Sequence, residues 1–143
     1  MHTIEKIGGT SMSDYISVRD NIVLNKDVPL YQRVFVVSAY SGVTNQLLEH
    51  KKTGQPGIYA LFANSTEDEG WIKKFEELNR ELLTINSDLF GDTPLLEEAN
   101  QFLSERLSNA KQCLLDLQSL CQHGHFALEA HLATVREMLA SIG

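Results

Sequence analysis

The order of apolar and polar residues divides the chain into two parts with different periodicities. The first part has two short apolar runs, TIEKI before a glycine pair and VFVV over residues 34–37. Between them, SDYISVRDNIVL offers Ser13 or Asp14 as an N-cap and has the spacing of one apolar helical face, formed by Tyr15, Val18, Ile22 and Val23. The order predicts a right-handed βαβ unit.

The valine-rich run predicts how this unit is packed. Four apolar residues without polar alternation are typical of a strand buried on both faces, as in a parallel sheet. Parallel strands end at the same sheet edge, so we expect the glycine turn after Ile7 and the SAYSG loop after Val37 to be neighbours. Two strands are too few for a stable sheet. A partner chain or a longer protein is therefore expected to complete it.

Helical spacing dominates the rest of the chain. One apolar face consists of Trp71, Phe75, Leu78, Leu82 and Ile85, which predicts core positions for the aromatic residues. Thr93 as N-cap and Pro94 as first residue predict the start of the next helix, and Gly124 its end. Its apolar face is Leu96, Ala99, Leu103, Leu107, Ala110, Leu114, Leu117 and Cys121. A third helix carries Leu128, Leu132, Val135, Leu139 and Ile142.

These patterns predict a domain organisation. Residues 1–50 are interpreted as the βαβ unit and residues 66–142 as a helical region, with the segment KKTGQPG, residues 51–57, as a flexible joint.

Composition and charge restrict the partners. A formal net charge of −7 argues against nucleic acid. The first residues, MHTIEKIGG, do not have the basic-then-apolar order of a signal peptide, and no apolar run is long enough for a membrane span, so we expect a cytoplasmic protein without a membrane partner. Cys113 and Cys121 are about 12 Å apart along one helix, too far for a disulfide. The histidines of CQHGHF match no zinc spacing, so no metal site is predicted from protein side chains.

The first candidate for chemistry is the stretch KIGGTSM. Lys6 at the strand end can neutralise phosphoryl oxygens, and Gly8 and Gly9 permit positive φ and close backbone approach. Thr10 and Ser11 add hydroxyl donors. The alternative is an ordinary turn, because the order of lysine and glycines is the reverse of a Walker motif.

The second candidate is VFVVSAYSGVTNQLLE. It places small polar residues between a buried strand and a helix, where they can donate to a phosphate or a carboxylate: Ser38, Ser41, Gly42, Thr44 and Asn45. The alternative is a capped helix, in which Ser41 or Thr44 only satisfies backbone donors.

Together the two motifs resemble the aspartate kinases of the amino-acid kinase family. K-x-G-G-T-S, followed some 30 residues later by S-A-x-S-G-V-T-N-x-L, carries the resemblance over residues 3–50, and VREMLASIG resembles a family segment that ends in Ser-x-Gly-Glu. The stretches LLEHKKTGQPGIYALFA and CQHGHF resemble the ectoine-associated subgroup. Ile7 departs from the aromatic residue usual in the family. The resemblance implies an α/β fold, part of a carbamate kinase-like three-layer architecture, with few parallel strands and a predominantly helical remainder.

The resemblance also implies roles for particular residues. Lys6 would be the catalytic residue, and the phosphates of ATP would be bound by Lys6, Gly8, Gly9, Thr10, Ser11 and Ser38. Thr44 would contact the substrate aspartate, supported by Ser41. The reaction would transfer the γ-phosphoryl group of ATP, bound with Mg²⁺, to the aspartate side-chain carboxylate. A homo-oligomer is expected.

The end of the chain shapes this hypothesis. The family glutamate after Ser-x-Gly and the later nucleotide and regulatory parts do not follow Gly143. We therefore expect residues 1–143 to be the N-terminal portion of the catalytic domain, from a truncated polypeptide or a split reading frame, and inactive alone. Two alternatives stay open. One is a related kinase for glutamate, acetylglutamate, carbamate or a nucleoside monophosphate, for which SGVTN is not expected. The other is a non-catalytic helical interaction module.

Overall fold

The computed structural model describes residues 2–24, 29–64, 69–124 and 126–143. Its strands are β1 (Thr3–Ile7) and β2 (Arg33–Val37). Its α-helices are α1 (Gly9–Met12), α2 (Tyr15–Val18), α3 (Val43–Leu47), α4 (Ile58–Asn64), α5 (Gly70–Phe90), α6 (Pro94–Gln122) and α7 (Leu132–Ala140). A π-helical turn covers Arg19–Val23, and 3₁₀ turns cover Leu30–Gln32 and Leu128–Ala130.

The chain divides into two compact units. Unit 1 comprises residues 1–44 with Gly143, and unit 2 comprises residues 45–142, so the division falls within α3. The described structure is thus mixed, mostly helical, with one two-stranded parallel sheet. This composition is compatible with part of an aspartate kinase. Among the described residues, no helix combines the length and apolar character needed to cross a bilayer.

The strands of unit 1 pair in parallel, as predicted. The register places Thr3 opposite Arg33 and Ile7 opposite Val37. The helix predicted from SDYISVRDNIVL is present as α2, which continues directly into the π-helical turn, whereas α1 is an additional short helix in the predicted glycine turn. Asp14 is the N-cap of α2, and its side chain accepts from the N–H of Ser17 at 3.4 Å. Of the two predicted caps, Asp14 is therefore the correct one.

The prediction that β2 is buried on both faces is wrong. Exposure alternates from Arg33 to Val36, and Val34 and Val36 are each about half exposed, at 50% and 47%. Val37, the last residue of the strand, is exposed as well. Because strand side chains alternate between faces, Val34 and Val36 share an uncovered face with their register partners Ile4 and Lys6. We call Ile4, Lys6, Val34 and Val36 the open face. The valine run correctly predicted a strand, but nothing in the described structure covers this side of it.

On the other face of the sheet, Arg33 and Glu5 form an ion pair, which we call the clasp. The Arg33 guanidinium donates to both carboxylate oxygens of Glu5, each at 2.6 Å. It also donates to the carbonyls of Ile22 at 2.7 Å and Val23 at 3.1 Å, and it lies 4.7 Å from the ring centroid of Phe35. The Arg33 side chain is only 4% exposed. One side chain thus joins both strands to the end of the π-helical turn.

This clasp predicts a specific acid sensitivity. The hydrogen bonds from Arg33 hold the pKa of the Glu5 carboxyl below its usual range. A carboxyl with a lowered folded-state pKa stabilises the fold above its unfolded pKa of about 4.3 and loses that contribution as the pH falls through the folded-state pKa. We therefore expect the unfolding midpoint of Glu5→Gln, followed by circular dichroism between pH 6 and pH 3, to fall less steeply than that of the unmodified chain.

A matched control uses Asp20, whose carboxyl pKa is also lowered. The hydrogen bond from Arg19 lowers the pKa of Asp20, but the two residues are adjacent in sequence and their side chains are nearly half exposed, at 42% and 48%. Because adjacent side chains are also close in the unfolded chain, we expect Asp20→Asn to leave the pH profile nearly unchanged. Equal profiles for Glu5→Gln and Asp20→Asn would contradict the role of the clasp.

Unit 2 has helices at the three places where the apolar spacing predicted them, and each predicted face is buried in part. Leu128, predicted on the third helix, lies instead in the 3₁₀ turn before α7. On α5 the aromatic and leucine positions Trp71, Phe75, Leu78 and Leu82 are buried. On α6, Leu107, Ala110 and Leu114 are buried, and on α7, Val135 and Leu139. Helix α5 packs against α4 and α6. The rings of Phe62 and Phe75 contact Trp71 edge-on, at centroid distances of 5.4 and 6.2 Å, so these aromatic residues belong to the core.

The residues Thr93, Pro94 and Gly124 correctly predicted where α6 begins and ends. Pro94 is its first residue and Thr93 its N-cap, although the Thr93 hydroxyl makes no capping hydrogen bond. Gly124 has a φ of 72°, and its N–H donates to the Cys121 carbonyl. The predicted helical region begins at residue 66, and residues 66–68 lie outside the described residues, as does His125.

The segment predicted as a flexible joint forms a hydrogen-bonded turn. The N–H of His50 donates to the Gln55 carbonyl at 2.9 Å, and the N–H of Gly54 donates back to the His50 carbonyl at 2.8 Å. The side chain of His50 adds to this closure, because its Nδ1 accepts from the N–H of Thr53 at 3.1 Å. The helix after the turn, α4, was missed because its seven residues are too few for a clear periodicity.

Candidate functional site

The two candidate loops leave the same edge of the sheet, as predicted. The N–H of Ser38, the first residue after β2, donates to the carbonyl of Ile7, the last residue of β1, at 3.1 Å. Beyond this point one chain continues into Gly8 and α1 and the other into the SAYSG loop. The residues to which the resemblance assigns roles all lie in unit 1, and of these only Gly9 is partly buried, the others being exposed. Asn45, which belongs to the second candidate motif, is the first residue of unit 2 and is partly buried.

Gly9 explains why the loops can touch. A Cβ at this residue would lie 2.8 Å from the carbonyl oxygen of Ala39, closer than carbon and oxygen pack in proteins. The expected close approach is therefore found at Gly9. The expected positive φ is not: Gly8 is extended, with φ −77° and ψ 166°, and the positive-φ glycines of the described residues are Gly42, Gly54, Gly91 and Gly124.

The two neighbouring glycines predict opposite substitution effects. Gly9→Ala should lower the free energy of unfolding by about 1–3 kcal/mol, because the new methyl group forces the Ala39 carbonyl to move. Gly8→Ala meets no atom within 4 Å and should be neutral or stabilising by about 0.4–1 kcal/mol, since it only restricts the unfolded chain. Thermal unfolding of both variants measures the difference. Equal stabilities would show that the loops separate freely.

Lys6 lies on the open face, opposite Val36 and two residues before Gly8. Two residues of strand span about 7 Å, within reach of a lysine side chain. Among the described residues no carboxylate pairs with Lys6, whereas Lys74 and Lys111 each have a glutamate partner. Its ammonium group therefore remains free to meet an anion at the sheet edge.

Residues with hydroxyl groups lie on both chain segments that leave this edge. Thr10 and Ser11 lie within α1, whose first N–H groups have no acceptor inside the helix. Ser11 also lines a cleft of about 250 Å³ with residues of α2 and the π-helical turn. Ser38 and Ser41 lie in the second loop, and Thr44 in the first turn of α3. The structure thus brings the turns that carry these residues together.

The loops are also joined by a residue that the sequence indicated only as a possible cap. The Ser13 hydroxyl donates to the Gly9 carbonyl at 3.1 Å and accepts from the Ser41 N–H at 3.0 Å. The four-residue spacing from Gly9 was the available signal, because a serine there can bond back to the carbonyl one turn earlier. The second partner of Ser13, the Ser41 N–H, is 28 residues away, and no local pattern of the sequence indicates this contact.

Two further observations limit the chemistry of the site. Burial raises the pKa of the Tyr40 hydroxyl, so this loop residue stays a neutral phenol near pH 7. Within residues 2–24, 29–64, 69–124 and 126–143, no group of three His, Cys, Asp or Glu side chains could hold a metal ion. The polar groups that the two loops offer include Lys6, backbone N–H groups and hydroxyls, which favour an anionic ligand.

Comparison with known proteins adds one relative. The chain is 52% identical over 145 aligned residues to the aspartate kinase Ask_Ect of Stutzerimonas stutzeri (strain A1501). The alignment covers all of this chain and 30% of that kinase. No protein-family model and no solved structure matches the chain. The chain is therefore similar, from end to end, to part of an aspartate kinase, which confirms the resemblance carried by its two loop motifs.

Proposed function

We propose that this chain is the N-terminal portion of the catalytic domain of an aspartate kinase and supplies its phosphate-side loops. The complete enzyme transfers the γ-phosphoryl group of ATP to the side-chain carboxylate of aspartate, giving 4-phospho-aspartate. The observation that carries the proposal is the 52% identity to an aspartate kinase along the whole chain. The name of that relative, Ask_Ect, also supports the ectoine-associated subgroup.

The geometry of unit 1 supports a division of roles between the loops. Lys6 would neutralise the transferring phosphoryl group, with backbone donors from Gly8 and Gly9 and hydroxyls from Thr10 and Ser11. On the second loop, Ser38 would lie near the phosphates, and Ser41 and Thr44 would meet the substrate aspartate. Because Gly9 and Ala39 are in contact, the two substrates would be bound side by side. Phosphoryl transfer depends on such positioning and charge neutralisation.

Magnesium fits this arrangement as a companion of the nucleotide. Mg²⁺ prefers oxygen ligands, keeps several waters, and is commonly bound through one or two carboxylates together with substrate phosphates. The described residues provide no metal-binding cluster of their own. We propose that ATP brings the ion and that the remainder of the kinase supplies any carboxylate ligand. The metal would add charge neutralisation at the phosphates.

The complete reaction is proposed to need more polypeptide than this chain. The chain spans 30% of the length of its relative. Its open face, with Ile4 75% exposed, leaves apolar surface beside Lys6 in contact with water. Further strands or helices of the kinase would cover this face and exclude water from the reaction. The purified 143-residue chain should therefore form no aspartyl phosphate above a Lys6→Ala control.

A hybrid enzyme tests the proposed function directly. The matching segment of the Stutzerimonas stutzeri kinase is replaced by this chain, and ATP-dependent aspartyl phosphate is trapped with hydroxylamine as the hydroxamate. We expect activity within about tenfold of the unmodified kinase. A folded hybrid without activity would overturn the proposal. If the hybrid does not fold, an exchange limited to residues 1–44 makes the same test with unit 1 alone.

A helical interaction module is the second candidate, and one observation favours it. Leu95, Phe102 and Leu120 on α6 are each at least half exposed. Exposed apolar positions suit a docking surface, but they are also expected where part of a larger enzyme lacks its neighbours. Activity of the hybrid therefore decides between the candidates. A module without catalytic residues would give no hydroxamate and would tolerate Lys6→Ala.

A further inference from the structure

We infer that Ser13 is a positioning residue that fixes the distance between the two loops of the proposed site; this inference rests on the proposed function. The hydroxyl of Ser13 uses both of its hydrogen-bonding capacities between them. Its O–H donates to the Gly9 carbonyl at 3.1 Å, and its oxygen accepts from the Ser41 N–H at 3.0 Å. We call these two hydrogen bonds the relay. A serine hydroxyl has one proton to donate, so the relay fixes the direction of the Ser13 O–H bond.

The relay connects backbone atoms of functional importance. Gly9 begins α1 and belongs to the proposed phosphate side. Ser41 belongs to the proposed aspartate side, two residues before α3 begins at Val43. Ser13 therefore links the backbones of the two sides, and it does so from outside the set of residues proposed to touch substrate.

The relay also opposes separation of the two loops, which steric contact alone does not prevent. The contact between Gly9 and the Ala39 carbonyl prevents the loops from coming closer, but a repulsive contact does not prevent them from separating. The hydrogen bond from Ser41 to Ser13 opposes separation. The two interactions together define one distance, which is what two substrates reacting side by side require.

The solvent exposure of Ser13 and Ser41 predicts which properties of the chain change when the Ser13 hydroxyl is removed. Ser13 and Ser41 are both exposed, so water can replace the missing hydroxyl in a Ser13→Ala variant and satisfy the Ser41 N–H. Water restores the hydrogen bond but not the fixed geometry. Loss of Ser13 should therefore change the stability little and the alignment of the loops much more.

The first experiment needs no catalytic activity. Hydrogen exchange of the Ser41 amide is measured by NMR in the 143-residue chain. We expect Ser13→Ala to accelerate this exchange about tenfold and Ser13→Thr, which keeps the hydroxyl, to restore it. Ser17→Ala is the matched control, because it removes a serine hydroxyl from α2 in the same unit. Unchanged exchange in Ser13→Ala would overturn the inference.

The second experiment measures positioning in the hybrid kinase. We expect Ser13→Ala to lower kcat roughly tenfold while the KM for ATP and the unfolding midpoint change little, and Ser13→Thr to recover most of the activity. A parallel fall in kcat and in the unfolding midpoint would indicate a structural role only and would reject the positioning role. An inactive hybrid with native Ser13 would reject the proposed function instead, while the amide exchange would still decide whether the relay exists.

Discussion

In the hybrid kinase, Lys6→Ala is expected to lower kcat by about 10²–10³-fold while leaving the fold intact. Removal of one preorganised group that stabilises transition-state charge has an effect of about this size. The fold should survive because Lys6 is exposed, and among the described residues it has no carboxylate partner to leave behind. Hydroxamate formation measures the rate, and thermal unfolding measures the fold.

The expected effect is large because of where Lys6 lies. It is flanked on the open face by Ile4 and Val36. If the complete kinase covers this face, the ammonium group acts in an environment with little water, where its interaction with phosphoryl oxygens is strengthened. Lys51→Ala is the matched control, since it removes the same charge from an exposed turn of unit 2. Activity of Lys6→Ala within tenfold of the unmodified hybrid would remove Lys6 from the proposed mechanism.

Leu114→Ala is expected to destabilise unit 2 by about 2–5 kcal/mol, the largest stability effect predicted for this chain. Leu114 is fully buried on α6, the helix that packs against α5. Truncation of a buried leucine removes apolar contact and leaves a cavity that the neighbouring helix cannot fill completely. Urea unfolding of the 143-residue chain, followed by circular dichroism, measures the loss.

Helix α6 offers a matched control, and unit 2 contains an internal fluorescence probe. Leu120, six residues after Leu114, is 50% exposed, so Leu120→Ala should change the stability by less than about 0.5 kcal/mol. Trp71 is the single tryptophan of the chain and is buried in unit 2. Its fluorescence therefore reports on this unit without contribution from unit 1. Equal losses for Leu114→Ala and Leu120→Ala would contradict the described packing.

The sequence correctly predicted those helices and strands that are indicated by their own residues. Pro94 and Gly124 defined the ends of α6 because each residue has a strong backbone preference that few contexts override. The apolar spacing from Trp71 to Leu82 predicted α5 because a long helix repeats the same information several times. The two strands and their shared edge followed from the order of elements.

The features that were mispredicted depend on residues distant in the chain. The run from Val34 to Val37 indicates a strand but does not show which of its faces other elements cover. Ser13 precedes an aspartate that caps α2, so its sequence neighbourhood explains it locally, whereas its partner Ser41 depends on the tertiary fold. The conformation of Gly8 could not be distinguished from that of Gly9 either, because only Gly9 lies against another backbone.

The parallel pairing of β1 with β2 has a consequence for the order of folding. Parallel neighbours cannot form a hairpin, and the contact between Glu5 and Arg33 closes a separation of 28 residues. Helices α5 and α6 follow each other after residues 91–93 and meet through local contacts. Local contacts lose less chain entropy on closure and generally form earlier. The helical unit should therefore acquire structure while Lys6 and Ser41 are still apart, and the edge proposed to bind phosphate would be among the last parts of the molecule to assemble.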